Sequence, residues 1–407
     1  PRSTLFPYTT LFRSAMDVRE VRRRARDGEA RAPAVRIGVM GAARIAKKNA
    51  RAIARVPGSA KVTAVASRSG EKAAAFATEV NLSGKATVLD SYGALLESPL
   101  IDAVYMPLPT SMHSEWVSRA AAAGKHILLE KPVALDDVTT DEVVASARAS
   151  GVALLDGTMF AHCLRWEAVD RVLRGGDLGR PRHVYATFSF DGASLPAGDV
   201  RTQPDLDGLG CLGDIGWYCV RAALRVFDWE PPERVLGHAG AQHFENGVLR
   251  QCGATLEFSG GRIAVVECSF ERAFEQRVAV STDRKARLEM QDAFLPESSQ
   301  NASFIVVSKD AGASKSRVRR TMVPTPVPQE SRMWQSFASL CAEPKGAASL
   351  EAMRQAALTQ RVVNAVARSL KSTPPEPARV RELSPFLYES SPDDVKGFLS
   401  DLNAVSA

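Results

Sequence analysis

Two kinds of hydrophobic pattern divide this chain. From residue 35 to about 160, short continuous apolar runs alternate with longer amphipathic stretches. Val35–Ala46 reads as a strand, a tight turn and a helix start. Further strands are expected at 61–66, near 86–88, at 101–106, 126–130 and 152–155, with helices at 44–55, 70–79, from Tyr92 to Leu96, 113–123, 137–149 and 162–174. Strands and helices alternating at this spacing predict a parallel, doubly wound sheet. After Gly175-Gly176 the period changes. Residues 183–190, 249–258, 263–270 and 277–280 alternate polar and apolar, and Gly260-Gly261 between two of these runs signals a hairpin. Runs at 303–308 and 317–323 add candidate strands, one helix is expected at 213–226, and 309–320 reads as a loop. Helical periodicity returns over 348–370 and ends at Pro374, Pro375 and Pro377. The fold class is therefore α/β. A Rossmann doubly wound parallel sheet over 35–160 precedes an α/β domain over 161–372 with a mainly antiparallel sheet. A tail over 373–407 follows, with a short helix at 393–402.

Composition excludes several function classes. Of 407 residues, 45% are hydrophobic and 24% charged, as in ordinary globular proteins. No apolar run approaches membrane-spanning length. Six scattered cysteines, none in a CxxC pair, argue against a disulfide framework or zinc knuckle. They point to a reducing compartment, the cytoplasm first, with plastid import left open. Net charge is +6, but residues 1–34 carry eight arginines against four acids. The body is then near neutral, which removes the case for nucleic acid. Within 1–34, Thr4–Ser14 reads like a sequencing adapter translated in frame, and the start is expected at Met16 or later. The rest of that segment is expected to be disordered.

Candidate chemistry gathers at the expected C-terminal strand ends, where open α/β sheets bind ligands. Gly38 and Gly41 fall where a dinucleotide turn needs bare backbone, with Ala43 as the third small position. Ala42, Ala43, Arg44 and Ile45 open the helix whose N-terminus would face a pyrophosphate. The second strand ends in Ser67-Arg68 with no acid for a ribose 2′-hydroxyl. A guanidinium and a hydroxyl suit a 2′-phosphate, so NADP(H) is favoured over NAD(H). Pro107, Leu108, Pro109 and Thr110 form an extended loop leading to His113, which either contacts the ligand or simply starts a helix. The run Ile127–Leu129 ends in Glu130-Lys131-Pro132. Lysine there is either a solvated ion pair or a working ammonium. Arg165, Trp166 and Arg201 are candidate substrate contacts, and no residue set has metal spacing.

Together these pieces resemble the Gfo/Idh/MocA oxidoreductases. The matching residues are Ile37–Gly41 with Ile45-Ala46, Ser67-Arg68, the Pro107–His113 loop, Glu130-Lys131-Pro132 and Asp214-Ile215-Gly216-Trp217-Tyr218. Gly208–Tyr218 and Asp156-Gly157-Thr158-Met159 look most like an uncharacterised plant branch and its dihydrodiol dehydrogenase relatives. The resemblance implies a large open second sheet through which homodimers or homotetramers form. It implies a dinucleotide across the first domain, and a small-molecule substrate in the cleft: a sugar, cyclic polyol or dihydrodiol. Lys131 and Tyr218 would be catalytic, with Asp214 one helical turn before Tyr218. In that scheme Tyr218 exchanges the proton while Lys131 lowers its pKa, or the roles are reversed. A non-catalytic dinucleotide-binding regulator on the same fold is the alternative.

Overall fold

The computed structural model describes residues 33–196, 198–296, 301–309, 315–372 and 374–381. The adapter-like segment and the helix expected at 393–402 lie outside them.

Six parallel strands form the first sheet: β1 (Val35–Met40), β2 (Ala60–Ala66), β3 (Thr87–Leu89), β4 (Ala103–Met106), β5 (His126–Leu129) and β6 (Leu154–Asp156). Their order, β3-β2-β1-β4-β5-β6, reverses between β1 and β4. That reversal opens a crevice beyond the strand ends. Helices α1 (Arg44–Ile53), α2 (Gly70–Glu79), α3 (Tyr92–Glu97), α4 (His113–Ala122) and α5 (Asp137–Ala149) connect the strands. Every residue of β4 and β6 is buried, which explains their continuous apolar runs.

Helix α6 (Leu164–Arg174) leads into the second sheet. Its strands are β7 (Pro181–Asp191), β8 (Arg234–Gly237), β9 (His243–Glu245), β10 (Val248–Phe258), β11 (Arg262–Ser269), β12 (Glu271–Thr282), β13 (Arg287–Met290), β14 (Asn301–Ser308) and β15 (Arg317–Pro324). The order is β15-β14-β13-β12-β7-β11-β10-β8, with β9 on β10. All pairs are antiparallel except β7 with β11. Gly260 and Gly261, both at positive φ, turn β10 into β11 as their spacing predicts.

The expected helix at 213–226 is two segments. Leu212–Gly216 is a π turn, and α7 (Trp217–Val226) continues from it. π turns recur at functional sites. Helix α8 (Gln329–Ala342) had no sequence signal assigned to it. It returns to the first domain, where Ser331 Oγ donates to Ala52 O at 2.8 Å and Trp334 Nε1 to Asn49 O at 3.2 Å. Helix α9 (Ala347–Lys371) is buried along most of its length and touches β6, β8, α5 and α7. Asn364 and Arg368 of α9 bond Asp137 of α5 at 2.8 and 2.7 Å. Residues 329–371 thus pack against both sheets and fix one half to the other. Among the described residues, no helix is long and apolar enough to cross a membrane.

Candidate active site

Lys131 lies two residues beyond β5, at the ligand-binding edge of the first sheet. Its Nζ donates to Asp214 Oδ1 at 2.5 Å and to the Asp214 carbonyl at 2.8 Å. Both side chains are about nine-tenths buried, with 11% exposure each. The π turn makes this possible by presenting a backbone carbonyl and a carboxylate of one residue to the same ammonium. Arg201 holds the other carboxylate oxygen, Nε to Asp214 Oδ2 at 2.8 Å, and is itself gripped by Asp199 at 2.9 Å. Burial pushes the Asp214 carboxyl up, but Lys131 and Arg201 outweigh it and hold the group below the usual carboxylate range. Lys131 is therefore no solvated surface pair, and Arg201 reaches the site by organising Asp214.

Tyr218 sits one turn further on, in α7. Its ring meets Phe160, Phe188 and Phe294 with centroids 5.6–5.7 Å away, and Lys131 Nζ lies 5.2 Å from its centroid. The lysine thus approaches the face of the ring, a cation–π contact. Burial, followed by the negative charges of Glu130, Asp214 and Glu330, pushes the hydroxyl well above its ordinary value. The net shift is thus upward, opposite to the direction expected beside the Lys131 ammonium. The aromatic cage drawn from β7, the turn after β6 and Phe294 had no sequence signal, because its members are far apart in the chain.

Asp156-Gly157-Thr158 holds this arrangement from behind. Asp156 pairs with Arg221 of α7 at 2.9 Å, both buried, and accepts from the Thr158 hydroxyl. Thr158 Oγ1 accepts from Trp217 Nε1 at 2.7 Å. The end of β6 is thereby bonded to the residue before Tyr218 and to the one three after it.

The residues expected to hold a dinucleotide lie beyond the ends of β1, β2 and β4. Gly41 has φ +112°, and a Cβ there would meet Leu108 at 3.4 Å and the Tyr92 hydroxyl at 3.6 Å. Those contacts are ordinary, so it is the positive φ that calls for glycine at the turn. The N-cap of α1, Ala43, supplies no side-chain bond, so the first-turn amides of Arg44 and Ile45 have no side-chain cap. Ser67 is buried at the end of β2 and Arg68 is exposed beside it. Ala42, Pro107, Leu108, Pro109 and Thr110 line the same edge. A phosphate-bearing dinucleotide fits this set of donors.

Five candidates are reassigned. Gly38 lies within β1, where a Cβ would collide with Ile101 and Leu95 at 2.9 Å, so its bareness serves packing. His113 is buried, its ring nitrogens 3.0 Å from Leu108 O and 3.3 Å from Val133 O. Burial lowers its pKa to about 4, leaving a neutral imidazole that clamps the loop rather than meeting ligand. Glu130 accepts from Tyr105 at 2.5 Å and Asn49 at 3.4 Å, and so ties β5 to β4 and α1. Arg165 and Trp166 are fully buried. Arg165 pairs with Asp292, and Trp166 Nε1 donates to Ala293 O at 2.9 Å, so both anchor α6 to the segment after β13. They are not cleft residues.

Cysteine spacing also concealed a grouping. Cys252 and Cys268 face each other across β10 and β11, and with Cys211 their sulfurs lie within 4.8 Å of one another. All three are buried thiols beneath the π turn, and Cys268 packs on Gly216.

Two family models match the chain. The oxidoreductase family with an NAD-binding Rossmann fold, GFO_IDH_MocA, covers residues 35–158, and a GFO/IDH/MocA C-terminal domain covers 166–286. The dTDP-3,4-didehydro-2,6-dideoxy-alpha-D-glucose 3-reductase of Actinomadura kijaniata is 38% identical over 197 residues. That alignment spans 48% of this chain and 57% of the relative. The trans-1,2-dihydrobenzene-1,2-diol dehydrogenase of Mus musculus is 30% identical over 249 residues, 61% of this chain and 72% of that one. The crystal structure of KijD10, a 3-ketoreductase from Actinomadura kijaniata in complex with NADP and TDP-benzene, superposes with a TM-score of 0.69 at 29% identity. It covers 81% of this chain and 97% of its own. On these matches, the two-sheet fold and the strand-end lysine, the chain belongs to the GFO/IDH/MocA family of NAD(P)-binding oxidoreductases.

Proposed function

We propose that this protein is an NADP-dependent oxidoreductase that moves hydride between the nicotinamide and a carbon bearing a secondary alcohol or ketone. The substrate class is a sugar, cyclic polyol or dihydrodiol. The observation that carries this reading is the Lys131 ammonium, held at the strand edge by Asp214 and stacked on Tyr218. The relatives named for sugar-nucleotide and dihydrodiol chemistry support the substrate class.

The Gly41 turn, the α1 N-terminus and Ser67-Arg68 would hold the dinucleotide, which when bound supplies or accepts the hydride. Lys131 gives its proton to the substrate oxygen in reduction and takes it back in oxidation. Asp214 fixes the ammonium through both its carboxylate and its carbonyl, so that little orientation remains to be paid for at the transition state. Burial raises the Tyr218 hydroxyl, which is placed to donate a hydrogen bond to the substrate oxygen beside the Lys131 ammonium. Ser67-Arg68, with no acid beside them, favour the 2′-phosphate of NADP. The open face of the second sheet is proposed as the homo-oligomer interface.

The test is nicotinamide absorbance over a panel of ketosugars, polyols and dihydrodiols with NADPH, NADH and their oxidised forms. Turnover with the phosphorylated cofactor is expected. Tight cofactor binding without turnover on any member would instead support a non-catalytic regulator.

A further inference from the structure

Asp207 closes the short helical turn Pro204–Asp207. It is 7% exposed, and its Oδ1 has no hydrogen-bond partner among the described residues. The turn packs on the Thr110 loop on one side and on Val200–Thr202 on the other. A Cβ placed on Gly213 would lie 3.2 Å from Pro132 Cγ and 3.5 Å from Asp207 Oδ1. The unpartnered oxygen, the proline after Lys131 and the glycine before Asp214 therefore converge on one point. An ionised carboxylate left this way is expensive to bury, and the usual relief is to keep a proton.

We propose that Asp207 is a positioning residue of the active site, a carboxyl that passes protons between Lys131 and solvent. In reduction, Lys131 loses a proton to the substrate oxygen and the Asp207 carboxylic acid restores it, becoming carboxylate. In oxidation the proton travels the other way. The charged and polar groups that face Asp207 fit this role. Asp214 lies on the π turn, Lys131 at the end of β5, Arg201 on the neighbouring turn with Asp199, and Thr110 on the loop, while Asp205 of its own turn points to solvent. Burial and then the Asp214 charge raise its pKa to about 7, against the pull of Lys131, Arg201 and the Thr110 hydroxyl. Protonated and ionised forms are then both available near neutral pH.

The relay rests on the oxidoreductase reading. Its test is the pH profile of kcat for the parent enzyme and for Asp207→Asn, with cofactor affinity measured by nicotinamide fluorescence. In the parent, reduction should slow as pH rises through about 7 and oxidation should slow as pH falls through it. Asp207→Asn should lose that limb and about tenfold in kcat, less than for a group that exchanges a proton with substrate directly, with cofactor affinity kept. Thr110→Val, which removes a bond favouring the carboxylate, should move the limb to higher pH, and it answers the question if the asparagine variant does not fold. Turnover in the parent with an unchanged limb in the variants would overturn the relay alone. No turnover in the parent on any substrate would overturn the oxidoreductase reading, and the relay with it.

Discussion

Lys131 and Tyr218 are separated by the physics of their surroundings. Lys131 has two oxygen partners on Asp214, while Tyr218 has three aromatic rings and a cation over its face. A hydroxyl raised by burial favours its protonated form and so donates a hydrogen bond. The two substitutions should therefore differ. Lys131→Met should cost kcat a factor of about 10² or more, as for loss of a general acid–base group. Tyr218→Phe keeps the ring and its cage and removes one hydrogen bond, for a loss of about tenfold, the equivalent of 1.4 kcal/mol. Steady-state kinetics on both variants check this, with cofactor binding as the control for folding. Equal losses would return the proton-transfer role to the pair as a unit. Lys131 left a local trace as a strand-end lysine, while Tyr218 was named through the resemblance to the Gfo/Idh/MocA oxidoreductases. Their division of labour was not legible in the sequence, since it depends on Phe160, Phe188 and Phe294, brought together only by the fold.

The element that positions Tyr218 is the junction of β6 with α7. Arg221 bonds Asp156, lies 5.2 Å over the Trp229 ring and reaches Thr359 of α9 at 3.5 Å. Removing one partner of a buried ion pair leaves the other charged and unpaired, at about 3–5 kcal/mol. Arg221→Met should therefore lower the Tm by several degrees and also reduce kcat, because α7 carries both Tyr218 and Arg221. Adding Asp156→Leu should recover part of the Tm, since an apolar pair has no stranded charge. A Tm unchanged by Arg221→Met in thermal melts would mean that the pair carries no net stability. The elements themselves were largely legible. Helices at 137–149 and 70–79 match expectation, because capping residues and apolar period coincide there. Three kinds of feature escaped. Helix α8 begins without a side-chain cap and mixes polar residues into its buried face, including Gln329, Glu330 and Ser331. Strands β8 and β13 are four residues long, too short for a period to show. The π turn looks in sequence like the first turn of a single helix, so only its hydrogen bonding distinguishes it.

The whole molecule is asymmetric about its second sheet. Helices α6, α7 and α9 and the π turn pack on one side, while among the described residues no helix covers the other. On that open side the strand register sets Val265, Tyr185 and Ala279 in one row, with Ile263, His183 and Ser281 in the next. Glu267, Thr187 and Arg277 form a third row. The charges in it are already matched within the chain, Glu267 with Tyr185 and Arg272, and Arg277 with Glu289. Rows that mix apolar positions with internally paired charges can be buried against a copy of themselves at lower cost than rows of unpaired charge. An antiparallel sheet is stable with one face in water, so the fold alone does not demand a partner. The internal pairing of Glu267 and Arg277 in these rows is what favours one. The expected state is a dimer or a dimer of dimers, burying about 1,600 Å² or more per interface. Light scattering at micromolar concentration should give at least twice the chain mass. Val265→Arg with Ala279→Arg would set four guanidinium groups against one another across a two-fold axis and should yield monomers. These monomers should still bind the dinucleotide, since Gly41 and Lys131 lie on the other sheet's edge. A parent protein that runs as a monomer, or a double variant that remains a dimer, would remove this face as the contact.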